Sequence, residues 1–168
     1  MPCARWPKNT WSRHGSPKPW LIIVKASYAN QPINTAGPAA LTVLADPLIM
    51  EQVLVNLLDN AAKYSGEGSP IELAGKVEEG MVVVRVRDLR LGISEEGYRI
   101  LFTRFGRIPG SRMRSGRVGT GLGLYLGRAY AEAMGGTLDL ESTGVGGSVF
   151  CLRLPVRRSE GDDRLPAA

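Results

Sequence analysis

Cysteine is scarce in this 168-residue chain. Cys3 and Cys151 lie far apart, and neither belongs to a CxxC or Cys/His pattern. That argues against a disulfide framework and a zinc site, and leaves two free thiols in a reducing compartment as the expected state. Long hydrophobic runs are missing too. The longest falls well short of the ~18 residues that would span a bilayer. The opening "MPCARWPKNTWSRHGSPKPW" is polar and proline-broken, so it lacks the apolar core of a signal peptide. A cytoplasmic protein without membrane insertion is expected. Aromatic residues make up 7% of the chain. Positive charge gathers in two stretches, the N-terminal tail and residues 104–117, but the net charge of +5 is modest, so nucleic-acid binding is not expected. Histidine occurs once, as His14 in "SRHGSPKP".

What is present is ordinary for a globular domain. The chain is 43% hydrophobic and 22% charged, and long enough for one sizeable core. Residues 1–34 read as a tail or partial lead-in segment, with an apolar stretch at 20–24. The run "ALTVLAD" at 40–46 is strand-like. Asp46-Pro47 reads as a helix start, with Asp46 as N-cap and Pro47 at the first helical position. That helix extends to about Tyr64 and stops at "SGEGSP". Two alternating strands follow around Glu78-Glu79-Gly80, a hairpin signature. "SEEGYRILFTRF" predicts a short helix capped by Ser94. Residues 106–118 have no periodicity and many glycines and arginines, the pattern of a mobile loop. "GTGLGLYLGRAYAEAMGG" predicts a glycine-rich turn leading into a helix that ends at Gly135-Gly136. A last strand pair ends near Val156, and the charged residues 157–168 read as a disordered tail. Strands cluster in pairs rather than alternating singly with helices. The expected fold is therefore α+β: a two-layer α/β sandwich with a mixed, mostly antiparallel sheet covered on one face by about three helices.

The helix "EQVLVNLLDNAAKYS" carries the first functional signal. Asparagine is a poor helix-interior residue, yet Asn56 and Asn60 stand four apart. With Asn56 at zero on a helical wheel, Gln52, Asp59, Asn60 and Lys63 fall within about 60° of it. Val53, Leu54, Leu57, Leu58, Ala61 and Ala62 cover most of the remaining circumference. The helix is thus mostly buried, with a narrow stripe rich in amides. Such a stripe is either a solvated face or a pocket wall. In a pocket an amide oxygen can ligate a hard cation such as Mg²⁺, and a lysine one turn on can pair with phosphate. Asp88 closes the apolar strand "VVVRVRD", with Gly92-Ile93 just beyond it. A carboxylate there can accept from an exocyclic amine such as that of adenine, although a strand-end aspartate is more often a turn residue. "GTGLGL" at 119–124 offers glycine-rich backbone and a helix N-terminus to phosphate. It matches neither the P-loop nor GxGxxG, since Leu124 stands where the latter needs glycine.

Together these residues resemble the catalytic ATP-binding domain of sensor histidine kinases, part of the superfamily shared with gyrase, the Hsp90 chaperones and MutL. "NLLDNAAKYS" is similar to that family's N box, "DLRLGI" to its first glycine box, "LFTRF" to its F box and "GTGLGL" to its second glycine box. The resemblance covers about residues 35–156 and implies a Bergerat-type sandwich that binds ATP and Mg²⁺. It implies Asn60 as Mg²⁺ ligand, Asn56 on the phosphate side and Lys63 on phosphate, these three forming the catalytic set. Tyr64 would pack near the ribose or adenine, and Asp88, with Gly92 and Ile93, would hold the adenine. Gly119, Thr120, Gly121, Leu122, Gly123 and Leu124 would wrap the phosphates. Residues 106–118 would form the lid, rooted by Phe102 and Phe105. Its Arg107, Arg112, Arg114 and Arg117 would face either solvent or the γ-phosphate.

Two departures qualify the resemblance. The family's first glycine box usually reads Asp-x-Gly-x-Gly, but Arg90 replaces the middle glycine, so weaker nucleotide binding is expected. His14 lies in a proline- and glycine-broken segment, not at an acceptor helix start. The expectation is a detached, monomeric catalytic domain that phosphorylates a histidine on a separate protein, which hands the phosphate to a response regulator. The competing readings are a gyrase- or Hsp90-like ATPase, an anti-sigma-factor serine kinase and a nucleotide-binding interaction module. The first two tend to carry a glutamate where Asn56 stands, and an amide cannot act as general base.

Overall fold

The structure is a computed structural model that describes residues 32–36, 43, 45–65, 68–89, 92–108 and 119–156. The readings made for the N-terminal tail with Cys3 and His14, for Arg90, for lid arginines Arg112, Arg114 and Arg117, and for residues 157–168 lie outside the described residues. The elements are β1 (Ile33–Ala36), α1 (Pro47–Tyr64), β2 (Ile71–Glu78), β3 (Met81–Asp88), α2 (Glu95–Leu101), α3 (Gly123–Ala133), β4 (Thr137–Gly144) and β5 (Gly147–Pro155).

The strands form one sheet in the order β1-β2-β3-β5-β4. β1 runs parallel to β2, with Ile33 opposite Ile71, and the other pairings are antiparallel. This is the expected two-layer sandwich with a mixed, mostly antiparallel sheet and three helices among the described residues. The period-2 alternation of the strands sets the layers. Ile71, Leu73, Val82, Val84, Val86, Leu138, Phe150, Leu152 and Leu154 share one core with α1 and α3. The opposite sheet face carries charges such as Arg85, Glu141 and Arg153, linked by ion pairs.

Local chemistry explains the ends of the elements. Asp46 Oδ1 accepts from the backbone N–H of Leu48 at 2.8 Å and of Ile49 at 3.2 Å, with Pro47 opening α1. Ser94 Oγ caps α2 by accepting from Gly97 N–H at 3.1 Å. The β2–β3 hairpin turns through Glu79 and Gly80, both at positive φ (49° and 76°), the backbone that a two-residue hairpin of right-handed twist requires.

Of the strand-like run at 40–46 only Val43, Ala45 and Asp46 are described, and Val43 makes an isolated antiparallel bridge to Val156. The strand that joins the sheet before α1 is β1, whose sequence "INTA" has no alternation and is mostly exposed. Ile33 and Thr35 are β-branched and tolerate extended backbone, but four residues are too short a signal, and the pairing with the edge of β2 is what makes them a strand. Among the described residues, no helix is long and apolar enough to cross a membrane.

Candidate functional site

Burial of α1 creates the site. Val53, Leu54, Leu57, Leu58, Ala61 and Ala62 are all 5% exposed or less, so the rotation of the helix about its axis is fixed. At roughly 1.5–3 kcal/mol for each large apolar side chain, that packing far outweighs the poor helix propensity of two asparagines. The stripe left over, Gln52, Asn56, Asp59, Asn60, Lys63 and Tyr64, lines a cavity of about 460 Å³, a volume typical of small-ligand sites. The facing wall consists of Gly106, Arg107 and Ile108 after α2 and the turn from Gly119 to Leu124 that opens α3. Leu101, Leu126 and Tyr130 complete it.

The polar groups of the stripe are not equivalent. Asn56 Oδ1 accepts from Gln52 Nε2 at 3.1 Å, and Asn56 Nδ2 donates to the Gly123 carbonyl at 3.3 Å. Lys63 pairs with Asp59 one turn earlier. Asn60 Nδ2 is buried and has no hydrogen-bond partner among the described residues. A buried donor left unpaired costs about 1–3 kcal/mol. The unpaired atom is an N–H donor closed off from solvent, so it suits an acceptor rather than a cation, while Asn60 as a residue lines the cavity.

The glycine-rich turn is shaped by contacts that only glycine tolerates. Gly121 has φ +70°, and a Cβ there would lie 2.8 Å from the Phe105 carbonyl carbon and 2.9 Å from Gly106 O. The turn thus packs backbone to backbone against the root of the expected lid. Leu122 is the N-cap of α3 and provides no side-chain hydrogen bond to the first helical N–H groups. An uncapped helix start facing a cavity suits an anion. With the asparagine amides and Lys63 opposite, the donor set fits a polyphosphate and an oxygen-seeking cation.

Ten of the residues expected at the site share this cavity: Asn56, Asn60, Lys63, Tyr64, Gly119, Thr120, Gly121, Leu122, Gly123 and Leu124. Four do not line it. Asp88 is fully buried at the end of β3, opposite Ser148 of β5. Gly92 has φ +93°, and a Cβ there would meet Gly144 O at 3.0 Å. Ile93 N–H donates to Thr143 Oγ1 at 2.8 Å, and that hydroxyl lies 3.0 Å from Ser148 Oγ. The three expected adenine contacts therefore sit against the β4–β5 turn. Phe105 is 59% exposed with φ +61°. Phe102 is buried edge-on against Phe150 at 6.4 Å, with the Arg128 guanidinium 3.8 Å above its ring.

Several residues at or near the site escaped the sequence reading. Leu126 and Tyr130 follow Leu122 at i+4 and i+8, a spacing that could have revealed them. Arg128, Thr143 and Ser148 carry no such signal, because their partners come from distant segments.

The family described as "Histidine kinase-, DNA gyrase B-, and HSP90-like ATPase" matches residues 45–158. The sensor protein KdpD of Clostridium acetobutylicum is 36% identical over 129 residues, covering 76% of this chain and 14% of its own length. The sensor protein SrrB of Staphylococcus aureus is 36% identical over 106 residues, 63% of this chain and 18% of its own length. The chain thus spans less than a fifth of these relatives. In structure it is similar to the nucleotide-free catalytic domain of histidine kinase ThkA, with a TM-score of 0.73 at 25% identity, covering 93% of this chain and 97% of that one. Full-length ShkA in complex with AMPPNP shares the fold, with a TM-score of 0.71 at 20% identity over 95% of this chain and 32% of that one.

Proposed function

This chain belongs to the family of histidine kinase-, DNA gyrase B- and HSP90-like ATPases, and from that premise we propose that it binds Mg²⁺-ATP and transfers the γ-phosphate in trans to a histidine on a separate dimerisation and phosphoacceptor protein. A response regulator then receives the phosphate, and the chain works in the cytoplasm. The observation that carries this reading is the cavity itself, with Asn60 and Lys63 on one wall and the glycine turn at the start of α3 on the other.

In this reading the amide oxygen of Asn60 holds Mg²⁺, which supplies charge neutralisation on the triphosphate. Lys63, balanced by Asp59, meets a phosphate oxygen, and the N–H groups from Gly119 to Leu124 take others. Tyr64 lies along the nucleoside. Asp88, Gly92 and Ile93, set beyond the lining of this cavity against the β4–β5 turn, are assigned the adenine, and Phe105 the root of the lid. No general base for water stands at Asn56, because an amide cannot accept the proton. The cavity's one carboxylate among the described lining residues, Asp59, is engaged by Lys63. The site therefore suits holding ATP until an external nucleophile arrives rather than hydrolysing it.

The test is incubation of the purified chain with γ-labelled ATP and Mg²⁺, with and without a protein carrying an acceptor-histidine helical hairpin. Acid-labile, base-stable label on that protein, absent with Asn60→Ala, is the expected result. No label, together with no measurable ATP binding, would overturn the reading and leave an interaction module.

A further inference from the structure

Within the amide stripe of α1, the two asparagines have opposite fates. Asn60 is left with a buried unpaired donor, whereas Asn56 has both ends of its amide engaged inside the protein. The partners of Asn56 are informative. One is Gln52, a turn earlier on the same helix, and the other is the carbonyl of Gly123, the first residue of α3 and 67 positions away. We propose that Gln52 and Asn56 form a latch in which Gln52 orients the Asn56 amide and Asn56 ties the glycine turn to α1, so that Asn56 is a positioning residue for the phosphate cradle and Asn60 alone is the amide that meets the ligand. This inference rests on the nucleotide-binding reading above.

The orientation follows from donor and acceptor bookkeeping. Gln52 Nε2 needs an acceptor, and it meets Asn56 Oδ1 at 3.1 Å. Nδ2 of Asn56 then points at the Gly123 carbonyl. Turned over, the Asn56 amide would set Oδ1 against that carbonyl, two acceptors facing each other without a proton between them. Gln52 therefore decides whether the contact across the cavity is attractive. Gly123 also packs beside the amide, where a Cβ would lie 3.6 Å from Asn56 Cγ in ordinary van der Waals contact. The latch fixes the distance between the two walls that receive the phosphates, and it does so without using a group that must later leave for a ligand.

The residue that tests the latch is Gln52, which is exposed and whose replacement leaves the core untouched. Gln52→Glu is nearly isosteric but only accepts, so it selects the turned-over Asn56 amide and sets Oδ1 against Gly123. Gln52→Met removes the donor without imposing the wrong orientation. Affinities for adenosine and for ATP with Mg²⁺ would be measured by calorimetry for the wild-type chain and both variants. Hydrogen exchange of the amides at 121–126 would be followed in the same proteins without nucleotide. The preference for ATP over adenosine is expected to fall about three- to tenfold with Gln52→Glu and no more than about twofold with Gln52→Met, the scale of one hydrogen bond. Exchange at 121–126 should quicken in the same order, with the thermal midpoint near that of the wild type. A Gln52→Glu variant that keeps the wild-type preference would overturn the latch. A wild-type chain that binds no nucleotide would overturn the kinase reading instead. The exchange comparison then decides the latch by itself, and wild-type exchange in Gln52→Glu would refute it.

Discussion

Asn60 bears a cost that the other amides of its stripe, Gln52 and Asn56, do not. Its buried, unpaired amide nitrogen should be worth about 1–3 kcal/mol of lost stability, partly offset by packing of the side chain. Asn60→Ala is therefore expected to leave thermal stability unchanged or slightly raised while Mg²⁺-dependent ATP binding is lost. A large fall in the melting temperature would mean that Asn60 is structural. This is the pattern of a residue kept for function at the expense of fold. Gly121 is the opposite case. Its φ of +70° and the 2.8 Å approach to Phe105 leave no room for a side chain, so Gly121→Ala should cost about 1–3 kcal/mol and weaken nucleotide binding together, as read by chemical denaturation and calorimetry. At this scale the α1 stripe was legible, because a burial pattern of six apolar residues leaves one face for everything else. The placement of Asp88 away from the cavity was not legible. Its position depends on the β3–β5 pairing, which sets it opposite Ser148 only after the sheet forms.

The elements differ in how much of their structure is local. α1 carries its own cap, its own apolar arc and its own stop, so its boundaries could be read directly. The β2–β3 hairpin announces itself through strand alternation and a Glu-Gly turn. β1 does neither, since four mostly exposed residues become a strand only because β2 has an edge to offer. The junction between α2, α3 and β4 was invisible for the same reason. There Arg128 donates to the Leu138 carbonyl at 3.0 Å, pairs with Asp139 and lies over the Phe102 ring. One guanidinium thus joins Phe102, at the end of α2, to α3 and the sheet. Removing it as Arg128→Met should cost about 1–3 kcal/mol in denaturant unfolding, the sum of a cation–π contact and a charge-assisted hydrogen bond. Arg128→Lys should recover less than half of that loss, because an ammonium cannot present planar donors to a carbonyl and a carboxylate while stacking on a ring. Full recovery by lysine would show that charge alone matters.

At the scale of the whole molecule, the sheet face away from the helices carries, among the described residues, a row of charges beside the buried Val83 and Cys151. Glu78 of β2, Arg85 of β3, Glu141 of β4 and Arg153 of β5 form a ladder of ion pairs across four strands. Glu141 is its hub, accepting from Arg85 Nε at 2.6 Å and from Arg153 at 3.1 Å. The hydrogen bonds from Arg85 hold the Glu141 carboxyl below its ordinary range, against the opposing effect of partial burial. Beneath the ladder, burial pushes the Cys151 thiol up, so it stays protonated and inert at neutral pH. The sign of the pH dependence follows from Glu141. Its pKa is lower folded than unfolded, so its contribution is complete above the unfolded value and is lost as pH falls through the folded one. Stability should be flat above about pH 5 and decline below about pH 4, where an unfolded glutamate begins to hold its proton more tightly than the folded one. Glu141→Gln keeps the shape but cannot form the charged pair. It should lower stability at pH 7, more at low than at high salt since the pairs are partly exposed, and it should make the acid decline shallower until the two proteins converge once the pH lies below the folded pKa of Glu141. Denaturation midpoints measured between pH 2 and pH 8 for both proteins would check this, and parallel curves with a constant offset would show that Glu141 acts through packing and not through its charge.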